Sequence, residues 1–440
     1  MSEPGLARTI GLTDGVLIVV GTVIGSAIFL VPNSVAASLP SAPLIVLVWS
    51  ATGLLSFFGA LAFAELGAMI PATGGQYVYL REAYGPLVGF VSGWALFLVI
   101  QTGSIATLAA GFAIYVGYFV PLGAAGAKIA SVLLIAALTV VNYRGVRLGV
   151  GVQRLFTALK LTGLAVVVIS AFLVHPQAHA APAAAAPVSW SRFGVAMIAC
   201  LWAYEGWNSL SFVAGEVRDP ARNIPRALGA GVALLIAIYL SANLAYMRML
   251  SVPDIAATSR VAARSAELSI GSLGASLVAL TILVSIVGAA NGSTLTSARI
   301  YFAQARDGLF FPSLGRVHPR FQTPHVAIAV QGVWAAVLAV SGSYERLFSY
   351  VVFTAWIFYG LAALAVVVLR RRWPDRPRPY RMWGYPATPL LFSGVAFWFV
   401  ANTIVTTPLS SCIGLAIVAT GVPVYYLWAR RSPRASPAVM

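Results

Sequence analysis

The chain has 440 residues, 60% of them hydrophobic and 9% charged, with a mean hydropathy of +0.88 and a formal net charge of +16. So apolar a composition excludes a soluble domain and predicts a polytopic membrane protein. The apolar runs are too long and continuous for the alternating strands of a membrane barrel, so the spans are helices.

A hydrocarbon core about 30 Å thick takes roughly 20 helical residues. The sequence predicts twelve spans, at 12–38, 43–70, 86–119, 126–143, 152–174, 192–215, 224–250, 268–302, 325–341, 346–370, 386–406 and 409–429. Glu3 and Asp14 flank Arg8, and no small-residue cleavage site follows the first span, a pattern unlike a cleaved signal peptide. Twelve spans put both termini on one side, and that side holds 21 of the 28 Lys and Arg residues, the other side six. The bias predicts cytoplasmic termini, with clusters such as Arg370-Arg371-Arg372 facing anionic lipid headgroups rather than nucleic acid. Cys200 and Cys412 both fall inside spans, which leaves no cysteine in a predicted external loop for a disulfide.

The first span contains Gly21-Thr22-Val23-Ile24-Gly25-Ser26-Ala27-Ile28-Phe29. Gly25 lacks a helix-favouring Cβ, the Ser26 hydroxyl competes for backbone partners, and Pro32 removes a donor, so the helix is predicted to open here. Opened at mid-membrane, such a stretch holds anions on freed amides and cations on freed carbonyls. The competing reading is that Gly21 and Gly25 form a helix-packing face.

After the second span, the stretch from Pro71 to Gly85 reads as a turn or re-entrant hairpin on the side of the termini. Its Tyr77, Tyr79 and Tyr84 either line a pathway mouth or anchor the chain at the interface. Span five carries Lys160, about 12 Å from the inner end at helical rise, so functional placement competes with snorkelling of its stem. The Ala- and Pro-rich loop from His175 to Ser189 reads as extended; His175 and His179 lack a third ligand, and no metal site is predicted.

Span six carries the second anomaly, Cys200-Leu201-Trp202-Ala203-Tyr204-Glu205-Gly206-Trp207-Asn208. An acid, a glycine and an asparagine at mid-span again mark an opened helix, and spans one and six hold the same position in two five-span halves. Paired breaks of this kind point to the binding site of a secondary transporter. The charged turn from Glu216 to Arg226 follows. Span eight then has a polar stripe from Ser285 to Ser297 that must face protein. Trp356, Phe358 and Tyr359 in span ten read as packing. The last two spans have almost no internal polarity and read as scaffold.

At Gly21–Phe29, Pro71–Gly85, Trp202–Asn208, Asp219–Arg226, Asn291-Gly292-Ser293 with Thr296-Ser297-x-Arg299, and Arg370–Pro386, the chain resembles the L-type amino acid transporter family of the amino acid–polyamine–organocation superfamily. The resemblance covers nearly the whole length. It implies an all-α membrane fold, a five-plus-five inverted repeat with broken helices one and six plus two C-terminal helices. The chain is then a single membrane domain: 12–215 is the first half with span six, 224–370 the rest of the second repeat, and 386–429 the additional helices. It further implies that Gly25, Ser26 and Ala27 amides meet a substrate carboxylate, that Val23, Trp202 and Glu205 carbonyls meet its ammonium group, and that Trp202 closes the outer gate.

Two positions depart from the family pattern: its Gly-Ser-Gly is Gly25-Ser26-Ala27 here, and Glu205 stands where relatives often have Gly or Asp. Eukaryotic members are disulfide-linked to a single-span glycoprotein, but the matching loop, Val120 to Lys128, has no cysteine, so no such partner subunit is expected.

The expected function is sodium-independent exchange of small or medium neutral L-amino acids across a bacterial inner membrane by alternating access. Lys160, with Ser285 as neighbour, takes the part of a coupling ion, and no cofactor is required. A proton-coupled symporter, or a carrier of cationic amino acids or polyamines, is the alternative. A channel is disfavoured because no ring of pore-lining charge recurs. A membrane enzyme is disfavoured because the spans hold no paired carboxylates, nucleophile–base pair or ligand histidines.

Overall fold

The computed structural model describes residues 6–175, 190–342 and 344–431. His179, with most of its loop, and the tail beyond 431 lie outside the described residues. In chain order the helices are α1 (Leu12–Val23), α2 (Ala27–Ser38), α3 (Ala42–Met69), α4 (Gln76–Tyr84), α5 (Pro86–Ala95), α6 (Gln101–Phe119), α7 (Ala124–Tyr143), α8 (Val146–Leu173), α9 (Trp190–Ala203) and α10 (Ser209–Phe212). They continue with α11 (Pro220–Met249), α12 (Val252–Ala257), α13 (Val261–Ile270), α14 (Leu273–Arg306), α15 (His325–Ser341), α16 (Tyr344–Arg372), α17 (Ala387–Thr406), α18 (Pro408–Ala419) and α19 (Gly421–Arg431). The single β-type pairing among the described residues is a bridge between Ile10 and Val217.

Nine of the apolar segments are long enough to cross a bilayer as they stand, with α5 and α6 joined through a π turn at Leu96–Ile100. The α1–α2 pair, bent by 47°, makes a tenth. The shorter apolar helices α9 and α15 complete the twelve segments. Two predicted boundaries are corrected. Span eight starts at Leu273 rather than 268, because Gly271, at φ +78°, ends the separate helix α13. Span five starts at Val146 rather than 152, which moves Lys160 deeper.

Cross-helix bonds define two faces. On the face of the described terminal residues, Arg370 grips the Glu65 carboxylate at 2.8 and 2.6 Å, and the Met382 amide adds a third bond at 2.8 Å. Tyr77 and Arg81 of α4 both donate to Asp307 at the end of α14. Tyr77 and Tyr79 are fully buried, so the interfacial-anchor reading fails for them; α4 is folded back into protein. On the opposite face, Asn33 ties α2 to the Ile255 and Ala256 carbonyls of α12 at 3.1 and 2.8 Å.

Toward the face of the described terminal residues, where Ile10 N donates to Glu216 O at 3.0 Å, Arg299 of α14 makes a fully buried pair with Glu216 at 2.7 and 3.2 Å. A charge at that depth is tolerated only when paired, and this pair fixes the segment that follows α10 against α14.

Candidate functional site

The chain leaves α1 at Ile24, whose ψ of 93° is extended, and re-enters a helix at Ala27. The amides of Gly25, Ser26 and Ala27 donate to no oxygen of the described residues, while the Phe29 amide turns back to Ser26 at 3.1 Å. Three free N–H groups stand at the start of α2, at the positive end of its dipole, a geometry that suits an anion. The two glycines divide the tasks that the sequence left in competition. A Cβ on Gly21 would lie 2.2 Å from both Gln153 Nε2 and Thr157 Oγ1, so Gly21 is a packing residue against α8. A Cβ on Gly25 would meet only Leu108 at 3.4 Å and Ala289 at 3.8 Å, so Gly25 belongs to the break.

The carbonyls freed by the break are taken up on the other side of α1. Lys160 Nζ donates to Gly21 O at 2.8 Å, Ile24 O at 2.5 Å and Ser285 O at 2.9 Å. Three acceptors match the three donors of an ammonium group. Ser285 Oγ lies 2.9 Å from the carbonyl oxygens of both Ile24 and Gly25. Lys160 is fully buried, fourteen residues into α8 and thus about 21 Å along it. Snorkelling is therefore excluded: the side chain turns inward and ties α8, α14 and the break of α1 together.

The second break lies between α9 and α10. It turns at Gly206, whose φ of +109° is costly for any residue with a Cβ. The Glu205 amide closes on Trp202 O at 3.0 Å, and Tyr239 of α11 donates to Ala203 O at 2.8 Å and approaches Val23 O at 3.4 Å. Tyr239 thus touches both breaks. Tyr359 of α16 donates to the Glu205 carboxylate, so the packing role read for it from sequence is corrected; an aromatic in an apolar run gives no sign of which carboxylate its hydroxyl meets.

Val23, Gly25, Ser26, Ala27, Trp202 and Glu205 all line one cavity between the two breaks. Lys160 and Ser285 stand behind it, bonded to its wall but not lining it. Sequence reasoning missed Gln101, Ser104 and Leu108 of α6 and Ser209, which complete the lining. Ser293 also lines it and belongs to the stripe noted on span eight. The signal for Gln101 and Ser104 is their polarity within an apolar run directly after the π turn, a feature frequent at functional sites. The cavity measures about 40 Å³, far below the roughly 300 Å³ and more of a typical small-molecule site. The cavity between the breaks is small, with Gly25, Ser26 and Ala27 of the first break and Trp202, Glu205 and Gly206 of the second among its lining residues.

The amino acid permease family model matches residues 10–427, nearly the whole chain. The chain belongs to the amino acid permease family. Within it, the serine/threonine exchanger SteT of Bacillus subtilis is 34% identical over 427 residues, covering 96% of this chain and 97% of that protein. The human b(0,+)-type amino acid transporter 1 is 34% identical over 412 residues, 92% of this chain and 84% of its own length. The human large neutral amino acids transporter small subunit 2 is also 34% identical, over 444 residues, 96% of this chain and 80% of its own.

Proposed function

We propose that the chain is a sodium-independent exchanger of small and medium neutral L-amino acids that works by alternating access. The observation that carries this reading is the pairing at the α1 break: three free amides face the cavity, and the opposing carbonyls are already neutralised by Lys160. A substrate carboxylate suits the amides of Gly25, Ser26 and Ala27, and its ammonium group suits the Val23, Trp202 and Glu205 end. Lys160 and Ser285 occupy the carbonyls that a coupling cation would otherwise need, which favours independence from sodium. Trp202, half-buried on the cavity wall, is the gate that must move to admit substrate into so small a space. Ala27 adds a methyl group at the carboxylate end and favours small side chains.

The one domain sits in the bacterial inner membrane with both termini cytoplasmic, as the Arg and Lys bias favours. Residues 12–215 and 224–370 carry the transport core and 386–429 a supporting pair. It acts without a disulfide-linked subunit, since the loop from Val120 to Lys128 has no cysteine; of its two cysteines, Cys200 is buried and Cys412 is exposed within the apolar helix α18. A second reading, transport of cationic amino acids, is favoured by the Glu205 carboxylate at the cavity wall.

Uptake of labelled serine, alanine and leucine into proteoliposomes tests the proposal. Saturable uptake, accelerated by unlabelled amino acid inside and unchanged when choline replaces sodium, is expected. Unsaturable flux, or accumulation driven by a sodium gradient, contradicts it.

A further inference from the structure

A second cavity, of about 570 Å³, opens toward the face opposite the termini. It falls in the size range of small-molecule sites, whereas the cavity between the breaks does not. Residues of α6 and of the chain around the start of α2 line both. On α6 the helical stripe Gln101, Ser104 and Leu108 lines the inner cavity, and the same spacing continues to Tyr115 and Tyr118 on the wall of the outer one. From Leu108 to Tyr115 is about 10 Å along the helix. On α2, Ser26 and Ala27 line the inner cavity, and Phe29 and Leu30, three residues on, line the outer.

The outer cavity is polar at its mouth. Arg260, Arg264 and Glu267, all exposed, stand on its rim. Arg264 pairs with Glu267 at 2.8 Å. Arg260 has no carboxylate within ion-pair distance among the described residues, and its guanidinium carbon lies 5.7 Å from the Tyr118 ring centre across the opening. Of the six Arg and Lys residues predicted on this face, two converge on this one cavity. Net positive charge above a funnel with apolar walls concentrates a ligand by its negative end and speeds its arrival.

We propose that the outer cavity is a capture site for the amino acid zwitterion, with its carboxylate on Arg260 and Arg264 and its ammonium group toward Glu267, one step before the site between the breaks. The proposal rests on the reading of the chain as an amino acid exchanger.

The test is exchange of labelled serine by proteoliposomes of fixed orientation, with apparent KM measured on each side for the wild type, Arg260→Gln, Arg264→Gln, the double variant and Arg264→Lys. Each charge removed is expected to raise KM on the cavity side on the order of fivefold and to leave KM on the other side unchanged. Raising ionic strength is expected to raise the wild-type KM on that side alone, with no such effect in the double variant, and Arg264→Lys is expected to keep the wild-type value. Unchanged KM in the double variant, or equal changes on both sides, would overturn the capture site while leaving the exchanger reading intact. Wild-type vesicles without saturable exchange would overturn both.

Discussion

Replacing Lys160 by Met probes the tie between the α1 break and the rest of the protein. The three bonds from Nζ are not equivalent. Ser285 O remains within the ladder of α14, and Ile24 O keeps the Ser285 hydroxyl at 2.9 Å, but Gly21 O has no other partner among the described residues. The variant therefore orphans one buried carbonyl, at about 1–3 kcal/mol. It also removes a buried ammonium, whose desolvation cost offsets much of its bonding, so the net effect on folding is small. The penalty falls on the position of the inner half of α1. At about 1.4 kcal/mol per factor of ten, exchange is expected to fall roughly 10- to 100-fold. The assay is serine exchange in proteoliposomes at matched protein incorporation, with thermal unfolding in detergent as the control. A Lys160→Met variant that exchanges at the wild-type rate would refute the tie.

The two glycines of the first span separate packing from binding. Gly21→Ala drives a Cβ into Gln153 and Thr157 and is expected to lower stability by about 1–3 kcal/mol, read as a reduced Tm, whereas Gly25→Ala is expected to leave Tm unchanged. Gly25→Leu is expected to insert normally and to abolish exchange by filling the 40 Å³ cavity. Glu205→Gln removes the negative charge beside the Tyr359 hydroxyl while keeping an acceptor oxygen; competition by alanine, leucine, arginine and glutamate at pH 5.5 and 7.5 is expected to show an altered selectivity profile, and Tyr359→Phe is expected to shift the same profile. An unchanged profile in both variants would reduce the pair to packing. Arg299→Met leaves Glu216 buried without its partner and is expected to cost about 3–5 kcal/mol, seen as failure to accumulate in the membrane.

Both breaks were legible because residues that disfavour helix, Gly25 with Ser26 and Glu205 with Gly206, interrupt runs that are otherwise continuously apolar. The lining residues at those breaks were legible for the same reason, since breaks in a membrane helix need a cavity to open into. What Lys160 touches was not. Its acceptors Gly21 and Ser285 lie 139 and 125 residues away, and no local pattern encodes that approach. Its depth was misread because span five was started six residues late, at 152 rather than Val146. Gly271 was a visible stop for α13, but the apolar run beyond it masked the boundary of span eight. Tyr77, Tyr79 and Tyr359 have amphipathic side chains that serve equally at an interface, in a core or against a carboxylate. Only the packing of α4 and α16 decides among these.

Substrate binding as proposed has the free amides of Gly25, Ser26 and Ala27 holding a carboxylate while the second break holds an ammonium group. Thermal unfolding of the purified protein with alanine, alaninamide or N-acetylalanine at equal concentrations tests this directly, because a ligand that binds the folded state raises Tm. Alanine alone is predicted to raise Tm, since alaninamide lacks the carboxylate and N-acetylalanine the ammonium group. Stabilisation by alaninamide as great as that by alanine would contradict the claim.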